Sequence, residues 1–309
     1  MPISQRVQAL RQQSLQALET LSSQRAELLT DFYQQDTAVA SVPVRRALAF
    51  KYLLEHKTIC ISPGELIVGE KGPAPKHAPT FPELCCHTLQ DLDILNSREK
   101  TKFIVSPDTR RIYQEKVIPF WQGKSMRDLI FSEMTNEWMA AYEAGVFTEF
   151  MEQRAPGHTV LDDKIYSKGM LDFLAEIDET LASLDFLHDA SAYDRQEELR
   201  AMRITAQALI DFAERHAVLA CALADQEPDD QRRSELTQIA EVCRWVPAHA
   251  PRTFWEALQY YWFVHLGVTT ELNTWDAFCP GRLDQHLFPF YTRGLAEGTL
   301  TQSMAEELL

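Results

Sequence analysis

The sequence predicts a predominantly α-helical chain. Apolar residues recur at helical spacing along most of its length, extended-chain signals are confined to two short runs between residues 58 and 70, and residues 252–269 are apolar on almost every face. A helix of that last kind is expected to be buried on all sides, inside something larger than a small bundle.

Residues 4–33 carry Val7, Leu10, Leu15, Leu18, Leu21 and Leu28 among Gln, Ser and Arg, which predicts one long or broken amphipathic helix with its polar face in water. Residues 44–56 place Ala47, Leu48, Tyr52 and Leu53 at helical spacing and predict a second helix. The runs TICI and ELIVGE then read as β-prone, and the stretch containing Pro73, Pro75, Pro79 and Pro82 reads as a folded loop rather than a polar spacer. Helical spacing resumes over 85–96 and 108–121, the latter with Ser106 as N-cap and Pro107 in the first turn.

A helix pattern from Thr135 through Trp138, Met139 and Tyr142 leads into FTEFMEQRAPGHTV, residues 147–160, where Pro156 and Gly157 force an irregular turn. Aromatic rings, two carboxylates, an arginine and His158 gather there on non-helical backbone, a mixture suited to a substrate pocket. A lone histidine beside a turn is nevertheless more often structural than catalytic. Helices are expected over 166–187 and 197–224, the second with the stripe Ala206, Leu209, Ile210, Ala213, Ala217 and Ala220. Pro228 breaks the pattern and Asp229 caps a helix to about Arg244.

After the apolar helix comes TTELNTWDAFCPGRLDQH, residues 269–286. Asp276 lies between Trp275, Ala277 and Phe278, where an unpaired carboxylate would be heavily penalised. It needs a partner, either a bound ammonium or a structural pair with Arg282 or Arg154. The end of the sequence reads as a helix opened by a capping box from Ser303 to Glu306, which suggests a truncated chain.

Composition narrows the class. Among 309 residues, 30 basic against 45 acidic side chains give a net charge of −15, which disfavours nonspecific attraction to nucleic acid or an anionic membrane. No apolar run approaches a membrane span and no secretory core opens the chain, so a cytoplasmic location is the default expectation. Six scattered cysteines lack zinc-site spacing and are expected to be reduced, with Cys85-Cys86-His87 and Cys279 packing rather than binding metal or acting as nucleophiles. There is no internal repeat and no Gly-rich phosphate loop.

The segments EAGVFTEFMEQRAPGHTV and YWFVHLGVTTELNTWDAFCPGRLDQHLFPFY, supported by residues 43–72 and 78–92, resemble the glycyl radical enzymes related to pyruvate formate-lyase, most of all the branch that dehydrates trans-4-hydroxy-L-proline. The resemblance runs from about residue 43 onward; residues 1–42 match only loosely, as an N-terminal helical segment. It implies that residues 43–309 supply the helical surround and first elements of a ten-stranded α/β barrel, within an N-terminal part of the pyruvate formate-lyase-like domain. It also implies that Phe150 packs on a substrate ring, His158 meets the departing hydroxyl, and Asp276 pairs with the ring ammonium. In that family an iron-sulfur S-adenosylmethionine activase installs a backbone glycyl radical that passes to a cysteine. Neither the Gly-Cys-Val-Glu string nor the Arg-Val-Ala-Gly-Tyr string that would carry these groups occurs in the 309 residues, so the glycyl radical domain is absent and the chain is expected to be inactive alone. A homodimer is implied for full-length relatives. Two alternatives stay open: another glycyl radical lyase of the same family, a formate acetyltransferase or an enzyme acting on a diol, amine or sulfonate, and a non-catalytic truncated or pseudoenzyme interaction protein.

Overall fold

The computed structural model describes residues 3–35, 40–147, 161–272 and 279–309. As expected, helices dominate. The first is α1 (Gln5–Gln16), then come strand β1 (Thr20–Ser22) and α2 (Gln24–Gln34). Residues 4–33 are therefore not a single helix: an extended segment interrupts them and buries Leu21. Next are α3 (Val42–His56), β2 (His77–Pro79), α4 (Leu89–Ser97) and α5 (Pro107–Ile112).

A π-helical turn, Tyr113–Val117, joins α5 to α6 (Ile118–Trp121). Pro119 has no N–H for the regular ladder and would crowd the carbonyl one turn back, and widening the turn relieves both problems. The helices α7 (Met126–Glu133) and α8 (Asn136–Glu143) precede a 3₁₀ turn, Lys164–Tyr166. The remaining elements are α9 (Met170–Ala182), α10 (Ala192–Ala224), α11 (Asp230–Trp245), α12 (Phe254–Glu271), α13 (Leu283–Glu297) and α14 (Gln302–Leu308).

Local capping chemistry is where the sequence indicates it. The Ser106 hydroxyl accepts from the Thr109 amide at 3.0 Å and Asp229 accepts from the Arg232 amide at 2.7 Å. The last helix departs from expectation: Thr301, not Ser303, caps α14, through a 3.1 Å bond from the Met304 amide. Residues Cys85 to Thr88 are not helical, because Thr88 and Asp91 form a capping box that opens α4 only at Leu89.

The long helix α10 packs against α3, α9 and α11. Its predicted alanine stripe is buried at Ala206, Ala213, Ala217 and Ala220, and these small side chains let neighbouring helices approach closely. Gly267 on α12 extends the same principle, since a Cβ there would come within 2.7 Å of the Leu209 side chain. Helix α3 is a shared wall. Phe50 and Leu54 enter the main core with α10 and α12, whereas Ala49 and Leu53 face a second core formed with α2, Tyr113 and Trp121.

The β-prone runs at 58–70 form no strand. Among the described residues the only sheet pairs β1 and β2 in parallel, with a bridge from Thr20 to Ile104. The backbone of 66–71 is satisfied instead by side chains of distant helices. Trp255 donates to the Leu66 carbonyl at 3.0 Å and Trp262 to the Gly69 carbonyl at 2.9 Å. Between them Gln259 bonds both the amide (2.8 Å) and the carbonyl (2.9 Å) of Val68. The Lys57 ammonium takes the carbonyls of Glu70 and Lys71 at 2.9 and 3.0 Å.

Within these 309 residues helix α12 is covered on most faces. Tyr261, Trp262, His265 and Val268 form one partly exposed stripe, while the remaining faces are packed.

Candidate functional site

Phe150, His158 and Asp276, together with Arg154, lie outside the described residues. The structure does place the chain on either side of them. Asp162, just after the first segment, and His286, the last residue of the second, approach to 3.6 Å between carboxylate and Nε2. Tyr166 stacks on the His286 ring with centroids 5.1 Å apart and planes 16° from parallel. The fold therefore brings the chain just after the first predicted substrate segment and the C-terminal end of the second to one place.

That place adjoins the exposed stripe of α12. Burial pushes the Tyr166 hydroxyl up to about 12, and the neighbouring Tyr261 contributes to the rise. Tyr261 in turn feels Cys279. His265 stacks on Trp262 at 5.2 Å and 13°, and its Nδ1 lies 3.4 Å from the Tyr261 hydroxyl. Burial, with Lys71 nearby, holds the His265 imidazole below its ordinary pKa and hence neutral near pH 7. Flat aromatic faces beside a few hydrogen-bonding groups on a half-dry wall suit a small polar molecule.

An apolar groove of about 780 Å³ runs between α3, α9, α10 and α12. Leu161 and Leu272, the residues bordering the two segments, both line it. At this end Arg46 of α3 forms an ion pair with Glu271, the last residue of α12. Burial raises the pKa of the Glu271 carboxyl, and Arg46 opposes that rise. Leu161 and Asp162 have φ values of 61° and 46°, left-handed conformations that a non-glycine chain holds only when its surroundings impose them.

At the same end of α12, Arg25 is 6% exposed. Its Nε donates to the Thr270 carbonyl at 2.6 Å, and its Nη atoms bond the Thr80 carbonyl and both oxygens of Glu83. The guanidinium also lies 4.0 Å from the Phe81 ring centre. The amphipathic pattern of residues 4–33 assigns this arginine to a water-facing helix surface. Neither it nor Gln259 has a local signal, because their partners lie far along the chain.

The cysteine cluster is a packed one. Burial pushes the Cys86 thiol up to about 12 and the neighbouring His87 down, which leaves both neutral, while Arg127 lies 3.4 Å from the Cys85 sulfur. Among the described residues no group of three or more His, Cys, Asp or Glu side chains could hold a metal ion, and no helix is long and apolar enough to cross a membrane.

Comparison with known proteins bears on this arrangement. A family model described as pyruvate formate lyase-like matches residues 2–309. Trans-4-hydroxy-L-proline dehydratase of Clostridioides difficile is 50% identical over 305 residues, covering 99% of this chain and 39% of the relative. An isethionate sulfite-lyase of Nitratidesulfovibrio vulgaris is 31% identical, covering 93% of this chain and 36% of the relative. The crystal structure of the C. difficile hydroxyproline dehydratase with trans-4-hydroxy-L-proline bound superimposes with a TM-score of 0.95, covering 99% of this chain and 39% of that one. The glycerol-bound B12-independent glycerol dehydratase of Clostridium butyricum superimposes at 0.91 with 30% identity, covering 100% of this chain and 39% of that one. The chain thus spans about two fifths of the length of the relatives it matches.

Proposed function

The chain belongs to the pyruvate formate lyase-like family, and on that premise we propose that it is the substrate-holding N-terminal part of a glycyl radical dehydratase that removes water from trans-4-hydroxy-L-proline to give 1-pyrroline-5-carboxylate. The observation that carries this reading is the 50% identity over nearly the whole chain to a dehydratase whose structure holds that substrate. The approach of Asp162 to His286 supports it, because it joins the chain just after the segment bearing His158 to the end of the segment bearing Asp276.

In this reading Asp276 pairs with the ring ammonium, Phe150 packs on the ring, and His158 as imidazolium donates a hydrogen bond or proton to the departing hydroxyl. Hydrogen abstraction from the ring carbon next to nitrogen is the chemistry that a glycyl radical and its cysteine supply in the complete enzyme. The strings that carry those groups do not occur in this sequence, so the chain by itself holds and polarises a substrate without turning it over. The activating S-adenosylmethionine enzyme, assembly as a homodimer, a cytoplasmic location and a place in anaerobic metabolism belong to the same proposal.

The test is a fusion of this chain to the part of the C. difficile relative that lies C-terminal to the matched region, treated with that relative's activating enzyme and S-adenosylmethionine. Formation of pyrroline-5-carboxylate from hydroxyproline by the fusion, and not by the chain alone, is expected. Turnover of glycerol or isethionate in preference to hydroxyproline would overturn the substrate assignment.

A further inference from the structure

The last turn of α12 ends in Thr270 and Glu271, and the sequence then runs on to Asp276. A helix C-terminus leaves carbonyls without intrahelical partners, so its position depends on what else bonds them. Here the partner is a buried guanidinium from the far N-terminal region. Arg25 reaches out of α2 to the Thr270 carbonyl with Nε, while its other nitrogens grip the Thr80 carbonyl and the Glu83 carboxylate. Phe81 covers the guanidinium at 4.0 Å. The planar fork is what lets one side chain bond three separate groups in fixed directions, which a lysine ammonium on a flexible stem does not reproduce. From the α3 side, Arg46 holds Glu271, the next residue. Two arginines on different helices thus pin consecutive residues at the end of α12.

We propose that Arg25 is a positioning residue, clamping the C-terminal turn of α12 to the 80–83 segment and thereby setting where the chain enters the stretch that carries Asp276. The inference rests on the proposed role of Asp276 as the group that receives the substrate ammonium. Arg25 touches no substrate; it acts through the helix end. The family match covers residues 2–309, so it includes the N-terminal residues expected to match only loosely, and through Arg25 helix α2 then takes part in substrate binding at a distance.

Two measurements test it. In the isolated chain, Arg25→Lys should leave cooperative unfolding intact while amides in the last turn of α12 exchange with deuterium at least roughly tenfold faster than in the parent, with exchange in α10 and α11 unchanged. In the activated fusion, Arg25→Lys should raise KM for hydroxyproline roughly tenfold or more, with kcat changing much less, in the same direction as Asp276→Asn. Should Arg25→Lys fail to fold, Glu83→Gln, which loosens the far anchor of the guanidinium, should give the same pattern more weakly. Unchanged exchange at the α12 terminus, or an activity loss confined to kcat and proportional to the unfolded fraction, overturns the inference. If the parent fusion does not act on hydroxyproline, the substrate reading fails, and the exchange result alone then decides the clamp.

Discussion

Gln259 treats the backbone of Val68 as a neighbouring strand would: its amide oxygen accepts from the Val68 N–H at 2.8 Å and its amide nitrogen donates to the Val68 carbonyl at 2.9 Å. With Trp255 and Trp262 one turn away on either side, it converts a face of α12 into the hydrogen-bonding partner of an extended segment. Buried backbone groups must be paired, and here a helix supplies what a sheet otherwise would.

Gln259→Leu keeps the volume roughly but strands both Val68 groups in a dry site. The expected loss of stability is about 2–4 kcal/mol, read as a lower urea midpoint at unchanged slope. Gln259→Glu should cost at least as much, because a carboxylate can accept from the Val68 N–H but meets the carbonyl with like polarity.

Gly69, in the same segment, has φ +120°, and a Cβ there would lie 2.5 Å from a Leu266 methyl. Gly69→Ala should therefore destabilise by about 2–4 kcal/mol, through backbone strain and overpacking together. Leu266→Ala removes the clash but not the strain, so the double variant should be more stable than the sum of the two single losses allows in denaturant titrations.

Buried His216 donates from Nδ1 to the Phe212 carbonyl at 2.9 Å. Burial lowers its pKa to about 4, with Lys57 and Arg215 adding repulsion. An unfolded histidine titrates near 6.5, so between these values the unfolded chain binds the extra proton and stability falls as pH falls. Its contribution is complete above pH 6.5 and is lost progressively toward pH 4, by about 3 kcal/mol at most. Unfolding measured from pH 7 to 4 should show this slope, and His216→Phe should flatten it.

Activity in the fusion separates the proposed roles at the two predicted segments. Asp276→Asn should raise KM for hydroxyproline by roughly 10- to 1000-fold, since in the proposed role the substrate ammonium loses its charge partner. His158→Gln should instead lower kcat by about 100-fold or more, with KM less affected, because a general acid acts as the hydroxyl departs. Steady-state kinetics with a proline competitor would expose a reversal of these two patterns.

Sequence alone determined the features whose causes are local. The α10 alanine stripe arises from helical periodicity, the caps at Ser106 and Asp229 from hydroxyl and carboxylate groups within one turn of their amides, and the family from long matches in rare residues. Local preference also makes residues 58–70 β-prone, because it cannot say whether an extended segment will meet a strand or a row of tryptophan and glutamine side chains nearly two hundred residues away. It puts Arg25 in water, because an amphipathic pattern does not reveal that Thr270, Thr80 and Glu83 will converge on it. It does not show that, within these 309 residues, Tyr261, Trp262 and His265 of α12 form a partly covered stripe. Tertiary structure decided these points because the hydrogen bonds and packing involved link residues far apart in the chain, and only the folded arrangement determines which distant groups meet.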